Sequence, residues 1–203
     1  MPLDLGELLA PAHTAVLTLE LQERVVGRDV ENDLAVESRG TFTAIAQLLS
    51  TARTANVDVV HCVLAPASVP SAAPNYPLAS AMAKRGQLGT QPGGDEVVAE
   101  IGPEPTDYVV ARHHGVAPFT GTELDAVLRR LAARTLVVTG VSLNLGVLAL
   151  CIEAVNLNYR VVIATDGVAG TPHEYGQLLL DNTLANLATR LTCAEIGDVW
   201  VPD

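Results

Sequence analysis

Short apolar runs rich in β-branched residues alternate along this chain with longer amphipathic stretches, and this alternation limits most strongly how the chain can fold. Runs of about four to eight apolar residues with little polar alternation are typical of strands that are covered on both faces, as in a parallel sheet. The chain has four such runs and one weaker candidate, at residues 14–21, 57–64, 134–141, 159–168 and 107–112. We therefore expect a sheet that is mostly parallel.

The stretches between these runs carry the periodicity of helices. Residues 41–56 and 122–134 each place apolar side chains on one face, and Thr122 is a candidate N-cap. Residues 143–158 are apolar nearly all round, which predicts a buried helix. The tail from residue 189 predicts a last short strand and a closing helix or turn. This order predicts an α/β fold: a three-layer, doubly wound (Rossmann-like) sheet with helices on both faces.

The length of 203 residues is that of about one domain, so we treat residues 1–203 as a single domain. One stretch interrupts the alternation, because residues 65–106 are too rich in Pro, Gly and Ser for a long regular element. An irregular connection of this length is usually functional or flexible. We expect it to cover a pocket or to extend toward a neighbouring subunit.

Composition and charge exclude several classes of partner. The net charge is −11, and clustered Lys or Arg would be needed to hold nucleic acid or an anionic membrane surface. The three cysteines are widely spaced and form no metal-ligand pattern with the histidines, so we expect neither a disulfide scaffold nor a metal site. No cofactor motif is present. The acidic N-terminus lacks the pattern of a signal peptide, which makes the reducing cytoplasm the expected location.

Polar residues at the carboxyl ends of the predicted strands are the first candidates for a site, because ligands of open α/β sheets bind there. Glu20 stands inside an apolar stretch, where a carboxylate needs a partner unless it faces solvent at the strand end. Arg112 ends another predicted strand and is either an ordinary surface cation or part of the site. Either residue could neutralise the other. Gln22 and Asp166 lie at comparable positions.

The turn GVSLNLG leads directly from a predicted strand into the apolar helix, and Ser142 can cap that helix. Backbone N–H groups at such a start are unpaired and suit an anion or an oxyanion. Gly146 falls in the first turn, where it costs up to about 1 kcal/mol relative to Ala. Either close packing against the sheet or a ligand would need the space.

Several stretches together resemble the isochorismatase-like cysteine hydrolase family over nearly the whole chain. They are HTAVLTLELQERVVG at 13–27, YVVARHHGVAPFTGTELDAVLRRL at 108–131 and RTLVVTGVSLNLGVLALCIEAVNLNYRVVIATDGVAG at 134–170. The residues that fall at the family's spacing are Phe119, Gly121, Thr122, Leu124, Gly140, Val141, Ala154, Tyr159 and Asp166. The resemblance implies the fold of these hydrolases.

The family's chemistry uses an Asp, a Lys and a nucleophilic Cys, and this chain departs from all three. Glu20 stands at the Asp position, Gly146 at the Cys position and Arg112 at the Lys position, although the longer spacing to Phe119 leaves His113 as the alternative to Arg112. Glycine forms no thioester, so the covalent mechanism is excluded at that position. Cys151, five residues further along a helix, points roughly 140° away and lies about 7.5 Å deeper.

The substitutions are compensatory, since Arg can meet a carboxylate through two parallel bonds. We hypothesise that a Glu20–Arg112 pair fills the former catalytic space. The resemblance implies a cis peptide at Val141–Ser142 and an oxyanion site made by the N–H groups of Ser142 and Gly146. The expected binding residues are Gln22, His113, Phe119, Val141, Ser142 and Tyr175.

Two functions of different classes follow. The first is a catalytically degenerate family member that keeps a pocket for a small carbonyl- or carboxylate-bearing molecule. The second is a hydrolase of a small amide or enol ether, in which Glu20 activates a water molecule and Arg112 with backbone N–H groups stabilises the oxyanion. The resemblance also implies a homo-oligomer, a dimer or a tetramer.

Overall fold

A computed structural model describes residues 3–66, 75–84 and 91–201 and contains a six-stranded sheet in the order β3-β2-β1-β4-β5-β6. Every neighbouring pair of strands is parallel. The strands are β1 (Thr14–Leu19), β2 (Asp58–Leu64), β3 (Tyr108–Arg112), β4 (Thr135–Gly140), β5 (Arg160–Val168) and β6 (Thr189–Leu191). The predicted three-layer α/β fold is confirmed, and each of the five predicted strands begins and ends within two residues of the observed one.

Helices cover both faces of the sheet. In chain order they are α1 (Leu5–Leu8), α2 (Glu23–Val26), α3 (Asp33–Arg39), α4 (Phe42–Thr54), α5 (Pro77–Lys84), α6 (Leu124–Arg130), α7 (Leu148–Asn156), α8 (His173–Leu178) and α9 (Cys193–Trp200). One core lies between the sheet and α6 with α7, and the other lies between the sheet and α4 with α9. Alternate residues of β1 supply the two cores, which is why its side chains are all buried. None of the described helices is long and apolar enough to cross a membrane.

The connection predicted at 65–106 is less irregular than its composition suggested. It contains α5 and a 3₁₀ turn at Ala99–Ile101, and Val97 forms an antiparallel bridge with Gln22. Pro77 begins α5, a position where proline needs no N–H and its fixed φ suits the helix. Residues 67–74 and 85–90 of this connection lie outside the described residues. The described part therefore packs against the end of the sheet at which β1 finishes.

The apolar helix predicted at 143–158 is not buried all round, which corrects the prediction. It starts as a π-helical turn at Leu143–Val147 and continues as α7. Only one side faces the sheet, with Leu150 and Ala154 fully buried. Leu145, Ile152 and Val155 on the other side are 44%, 43% and 40% exposed. An apolar composition is therefore compatible both with a fully buried helix and with a helix whose outer face is partly exposed.

A buried polar chain ties β1, β2 and α4 together. Thr18 Oγ1 lies 2.6 Å from His61 Nδ1, and His61 Nε2 lies 3.0 Å from Asp107 Oδ2. Because the carboxylate can only accept, Nε2 carries the proton and Nδ1 accepts from the Thr18 hydroxyl. Arg53 on α4 donates two hydrogen bonds to Asp107, at 3.0 and 2.6 Å. This network satisfies every polar atom of the imidazole in its neutral form, so His61 has a structural role in the core.

We predict that this network makes the protein less stable in mild acid. Burial lowers the pKa of His61, against the opposing effect of Asp107. The unfolded chain then binds more protons than the folded chain below about pH 6.5, so the free energy of unfolding falls as the pH drops through that value. One proton gives a slope of at most about 1.4 kcal/mol per pH unit. Urea unfolding between pH 5 and 8 measures it.

A matched pair of variants separates His61 from the other histidines. His61→Gln is less stable at pH 8 but has a flatter profile between pH 5 and 7, because the proton uptake is removed. His113→Gln changes an exposed imidazole and keeps the slope of the unmodified protein. An unchanged slope in His61→Gln would assign the acid sensitivity to another group.

Candidate functional site

The sheet has its topological switch point between β1 and β4. From β1 the chain runs outward through β2 to β3, and it then crosses over to β4 and runs outward again to β6. In open α/β sheets the crevice beyond the carboxyl ends at such a point is where ligands bind. Glu20 follows β1 directly, and the turn from Gly140 to Ser142 ends β4. Two of the predicted site elements therefore meet at this crevice.

Glu20 and Arg112 form a buried ion pair across the end of β2. Arg112 Nη2 donates a hydrogen bond to Glu20 Oε1, and the two side chains are 7% and 16% exposed. Arg112 Nη1 donates to the carbonyl oxygens of His114, at 3.1 Å, and of Gly115. The guanidinium is thus held from two directions. Arg112 is buried and bonded to Glu20, so it is not an ordinary surface cation.

The electrostatic environment of the pair is dominated by burial. Burial raises the pKa of the Glu20 carboxyl, and the Arg112 guanidinium opposes that rise. Cys62 on β2 lies beside the pair, and burial raises the pKa of its thiol to about 12. The thiol is therefore protonated at neutral pH, where it is a poor nucleophile.

The turn after β4 has the backbone that the resemblance implied. The Val141–Ser142 peptide is cis, and Val141 N–H donates to Leu19 O at 2.9 Å. Gly140 has φ +104°, and a β-carbon there would lie 2.3 Å from Leu19 O. Only glycine lets β4 approach β1 this closely. This close approach fixes the position of the turn.

The start of the following helix is arranged differently from the predicted Ser142 cap. Ser142 Oγ bonds to Asn144 Oδ1 and not to a helix N–H. Asn144 Nδ2 donates to Thr171 O at 3.3 Å, which links this turn to the segment after β5. Among the described residues, no main-chain or side-chain acceptor outside the turn receives the N–H of Ser142 or of Gly146. These two N–H groups are the candidates for an anion site.

Gly146 packs against the end of β1. A β-carbon at Gly146 would lie 2.9 Å from Leu19 Cδ2, 3.6 Å from Val141 O and 3.7 Å from Val116 O. The nearest atom belongs to a flexible side chain, so a small group at this position requires Leu19 to move. Leu19 occupies part of the space into which a side chain at position 146 would project.

The predicted binding residues do not all converge on the ion pair. Gln22 is fully buried, and its amide accepts from Leu64 N–H and donates to Leu64 O, so it fastens the chain after β1 to the end of β2. Phe119 is buried in the core against Tyr159. Exposed His113 has Nδ1 2.9 Å from Pro66 O, which leaves Arg112 as the partner of Glu20. Val141 is buried, and Tyr175 is half exposed on α8.

Asp166, another sequence candidate, accepts a hydrogen bond from Cys193 N–H at 2.7 Å, at the start of α9. This bond holds the first residue of α9 at the end of β5. Sequence reasoning missed Leu19, Val116 and Asn144. Asn144 could have been found as a polar residue in the first turn of the apolar stretch, whereas Leu19 and Val116 are ordinary apolar residues with no such signal.

Two surface cavities, of about 380 and 370 Å³, lie elsewhere. One is lined by Val26, Gly27, Arg28, Arg39, Phe42, Thr43 and Glu100, and the other by Tyr108, Val109, Val110, Glu123, Ala126, Val127 and Arg130. Within the described ranges, no group of three His, Cys, Asp or Glu residues is arranged to hold a metal ion.

The fold, with its crevice beside β1 and β4, defines the class as a doubly wound α/β protein. Within that class, the sequence model of the Isochorismatase domain matches residues 14–195, so the chain belongs to the isochorismatase family. The chain is 30% identical over 178 residues to the ureidoacrylate amidohydrolase RutB of Rhizobium rhizogenes, which covers 78% of this chain and 71% of that protein.

Other similar proteins agree with this family. The isochorismatase family protein YwoC of Bacillus subtilis is 39% identical over 74 residues, so the match covers 36% of this chain and only 39% of YwoC. A cysteine hydrolase from Pseudomonas syringae has the same fold, with a TM-score of 0.79, 20% identity and 98% and 95% of the two chains covered. An isochorismatase family protein from Desulfovibrio vulgaris has a TM-score of 0.76, 24% identity and coverage of 92% and 97%.

Proposed function

We propose that this chain is a family member without the nucleophilic cysteine, which binds a small carbonyl- or carboxylate-bearing molecule and does not hydrolyse it through a thioester. The observation that carries the proposal is the hydrogen bond between Glu20 and Arg112. Gly146 lies in the helical turn that follows β4. Following the resemblance, we assign these three residues to the Asp, Lys and Cys positions. With that assignment, the acid and the base of the family's chemistry neutralise each other and the nucleophile is missing.

The pair is a poor substitute for a catalytic acid and base. The Arg112 guanidinium opposes the rise in the pKa of Glu20 that burial causes, so the carboxylate is a weaker base than burial alone would make it, and a guanidinium is a poor proton donor. Arg112 also has two carbonyl acceptors of its own, which hold it in place. The two N–H groups of Ser142 and Gly146 need no cysteine and remain able to receive a carbonyl or carboxylate oxygen.

A binding experiment tests this proposal. We expect that at least one compound from a panel of ureido acids, small primary amides and small carboxylates raises the melting temperature of the protein without being converted. Gly146→Ala adds a methyl group beside the two N–H donors and is expected to weaken binding of that compound at least about tenfold. Gly102→Ala is the matched control, because a β-carbon there meets no atom within 4 Å.

Two results would contradict the binding proposal. One is a panel in which no compound changes the melting temperature. The other is a ligand whose affinity is the same in Gly146→Ala, which would place its site elsewhere, for example in the cavity lined by Arg28 and Arg39.

The second candidate function is a hydrolase that uses water. The observation in its favour is that burial raises the pKa of Glu20, as it does for carboxyl groups that act as general bases near neutral pH. Glu20 would take a proton from a water molecule beside Gly146, and Arg112 with the two N–H groups would stabilise the oxyanion. This function requires turnover that does not depend on any thiol and is lost in Glu20→Gln.

A further inference from the structure

The cavity of about 380 Å³ beside the end of α2 combines an apolar wall with charged groups. Val26 and Phe42 form the apolar wall, and both belong to the core between the sheet and α4. Arg28, Arg39 and Glu100 supply the charged groups. Cavities of this size and composition are typical of sites that hold a small organic molecule. We call it the α2–α4 cavity.

Arg39, the last residue of α3, brings a positive charge to the α2–α4 cavity without a carboxylate partner. Its Nη2 donates hydrogen bonds to the carbonyl oxygens of Gly27, at 2.8 Å, of Arg28, at 3.3 Å, and of Val30, at 2.6 Å. Within the described part of the chain, its buried Nε has no acceptor and its Nη1 donates no bond. Unused donors on a partly buried charged group are costly, and an oxygen of a ligand can supply the missing acceptor.

Arg28 and Glu100 form an ion pair at the rim of the cavity. Arg28 Nε donates to Glu100 Oε1 at 2.5 Å, and the Arg28 side chain is 84% exposed. This hydrogen bond lowers the pKa of the Glu100 carboxyl, and the charge of Arg39 acts in the same direction, so Glu100 is ionised at neutral pH. The two guanidinium groups and one carboxylate give the cavity a single excess positive charge, in a chain whose net charge is −11.

The first turn of α4 adds main-chain donors at the same place. Phe42 and Thr43, which line the cavity, are the first two residues of this 13-residue helix. The Thr41 hydroxyl donates to Ser38 O and does not cap the helix. Among the residues that the structure describes, none accepts the N–H of Phe42 or of Thr43. Unpaired N–H groups at the start of a helix favour a negative charge.

We propose that the α2–α4 cavity binds a small organic carboxylate that has an apolar ring. The carboxylate lies between the Arg28 and Arg39 guanidinium groups at the start of α4, where charge-assisted hydrogen bonds hold it. The ring packs against Phe42. One carboxylate balances the single excess charge of the cavity, whereas the second charge of a phosphate monoester would be repelled by Glu100.

This site goes beyond the proposed function and does not depend on it. Its lining residues include neither Ser142 nor Gly146, whose N–H groups are the donors of the other site. Val147, which follows Gly146, belongs to the core on the α7 side of the sheet, whereas Val26 and Phe42 belong to the core on the α4 side. A ligand can therefore be assigned to one site or the other by the main-chain amides that respond to it.

An NMR titration with benzoate, in a buffer free of phosphate and other carboxylates, tests the proposal. We expect saturable chemical-shift changes at the amides of Gly27, Arg28 and Thr43, with a dissociation constant of about 1 mM. The amides of Ser142 and Gly146 report the other site separately. Benzamide, which has the shape of benzoate but no charge, is expected to bind at least about tenfold more weakly. Phenyl phosphate is also expected to bind more weakly than benzoate.

Two substitutions at the rim change the charge of the cavity in opposite directions. Arg28→Met is expected to raise the dissociation constant of benzoate about tenfold, and Glu100→Gln is expected to lower it about threefold. Arg39 is left in place because it also holds the loop carbonyls. Arg160→Met is the matched control, since it removes an exposed arginine outside the cavity and changes the net charge by the same amount as Arg28→Met. It is expected to leave the affinity unchanged.

Three results would overturn the proposal. The first is a titration to about 20 mM benzoate that produces no saturable change at the amides of the cavity. The second is benzamide or phenyl phosphate binding as tightly as benzoate, which would mean an uncharged or a phosphate ligand. The third is an affinity that Arg28→Met and Glu100→Gln leave unchanged, or that Arg160→Met weakens as much as Arg28→Met does. Circular dichroism checks that the variants are folded.

Discussion

Arg112→Met is expected to lower the free energy of unfolding by about 3–5 kcal/mol, because it leaves the carboxylate of Glu20 buried without its partner. The methionine preserves most of the apolar volume, so the loss reports the charge and not a cavity. Glu20 can relieve part of the cost by taking up a proton. The variant is therefore expected to lose stability as the pH rises from 5 to 8, since its folded state then holds more protons than its unfolded state.

Two further variants make this result specific to the buried pair. Arg160→Met removes an exposed arginine whose nearest carboxylate oxygen, on Glu7, is 3.7 Å away, and it should change stability by no more than about 0.5 kcal/mol. Glu20→Gln combined with Arg112→Met should be more stable than Arg112→Met alone, because no charge is left buried. A loss below about 1 kcal/mol in Arg112→Met would show that the pair does not hold the site together.

Gly140→Ala is expected to be among the most damaging single substitutions in the chain, lowering the free energy of unfolding by more than about 4 kcal/mol. Its β-carbon would lie 2.3 Å from the oxygen and 2.6 Å from the nitrogen of Leu19, and neither main-chain atom can move without displacing β1. The φ of +104° adds strain for any L-residue with a side chain. Urea unfolding measures the loss, and failure to obtain folded protein agrees with it.

Gly102→Ala separates the two causes of that loss. Gly102 also has a positive φ, of +64°, but a β-carbon there meets no atom within 4 Å. Its substitution should therefore cost only about 1–2 kcal/mol, the conformational penalty alone. Equal effects at the two positions would mean that the contact with β1 does not matter.

The strands and their parallel arrangement could be predicted because each β-branched run is long enough to be buried on both faces. Glu20, Arg112 and the Gly140–Ser142 turn could be predicted as neighbours because all three lie at the carboxyl ends of parallel strands, which meet at one edge of the sheet. The hypothesised contact between Glu20 and Arg112 is present. The sequence alone could not show that Arg112 and not His113 is bonded to Glu20, since only the geometry shows the His113 imidazole directed toward Pro66.

Other features depend on contacts that no local pattern encodes. The contact between Leu19 and Gly146 joins residues far apart in sequence, and both are ordinary choices for their elements. Gln22 was expected to bind a ligand, and its amide turned out to be bonded to main-chain atoms, which composition cannot reveal. The exposed side of α7 had the same apolar pattern as a fully buried helix.

The most direct test of the central claim is a hydrolysis assay with a ureido acid, a small amide and an isochorismate-like enol ether, with metal removed. It compares the unmodified protein, the same protein after thiol alkylation, and Glu20→Gln. We predict no product above the uncatalysed background in any of the three samples. Turnover that survives alkylation and disappears in Glu20→Gln would contradict this and establish a water-based hydrolase. Turnover abolished by alkylation would instead assign the chemistry to a thiol such as Cys62.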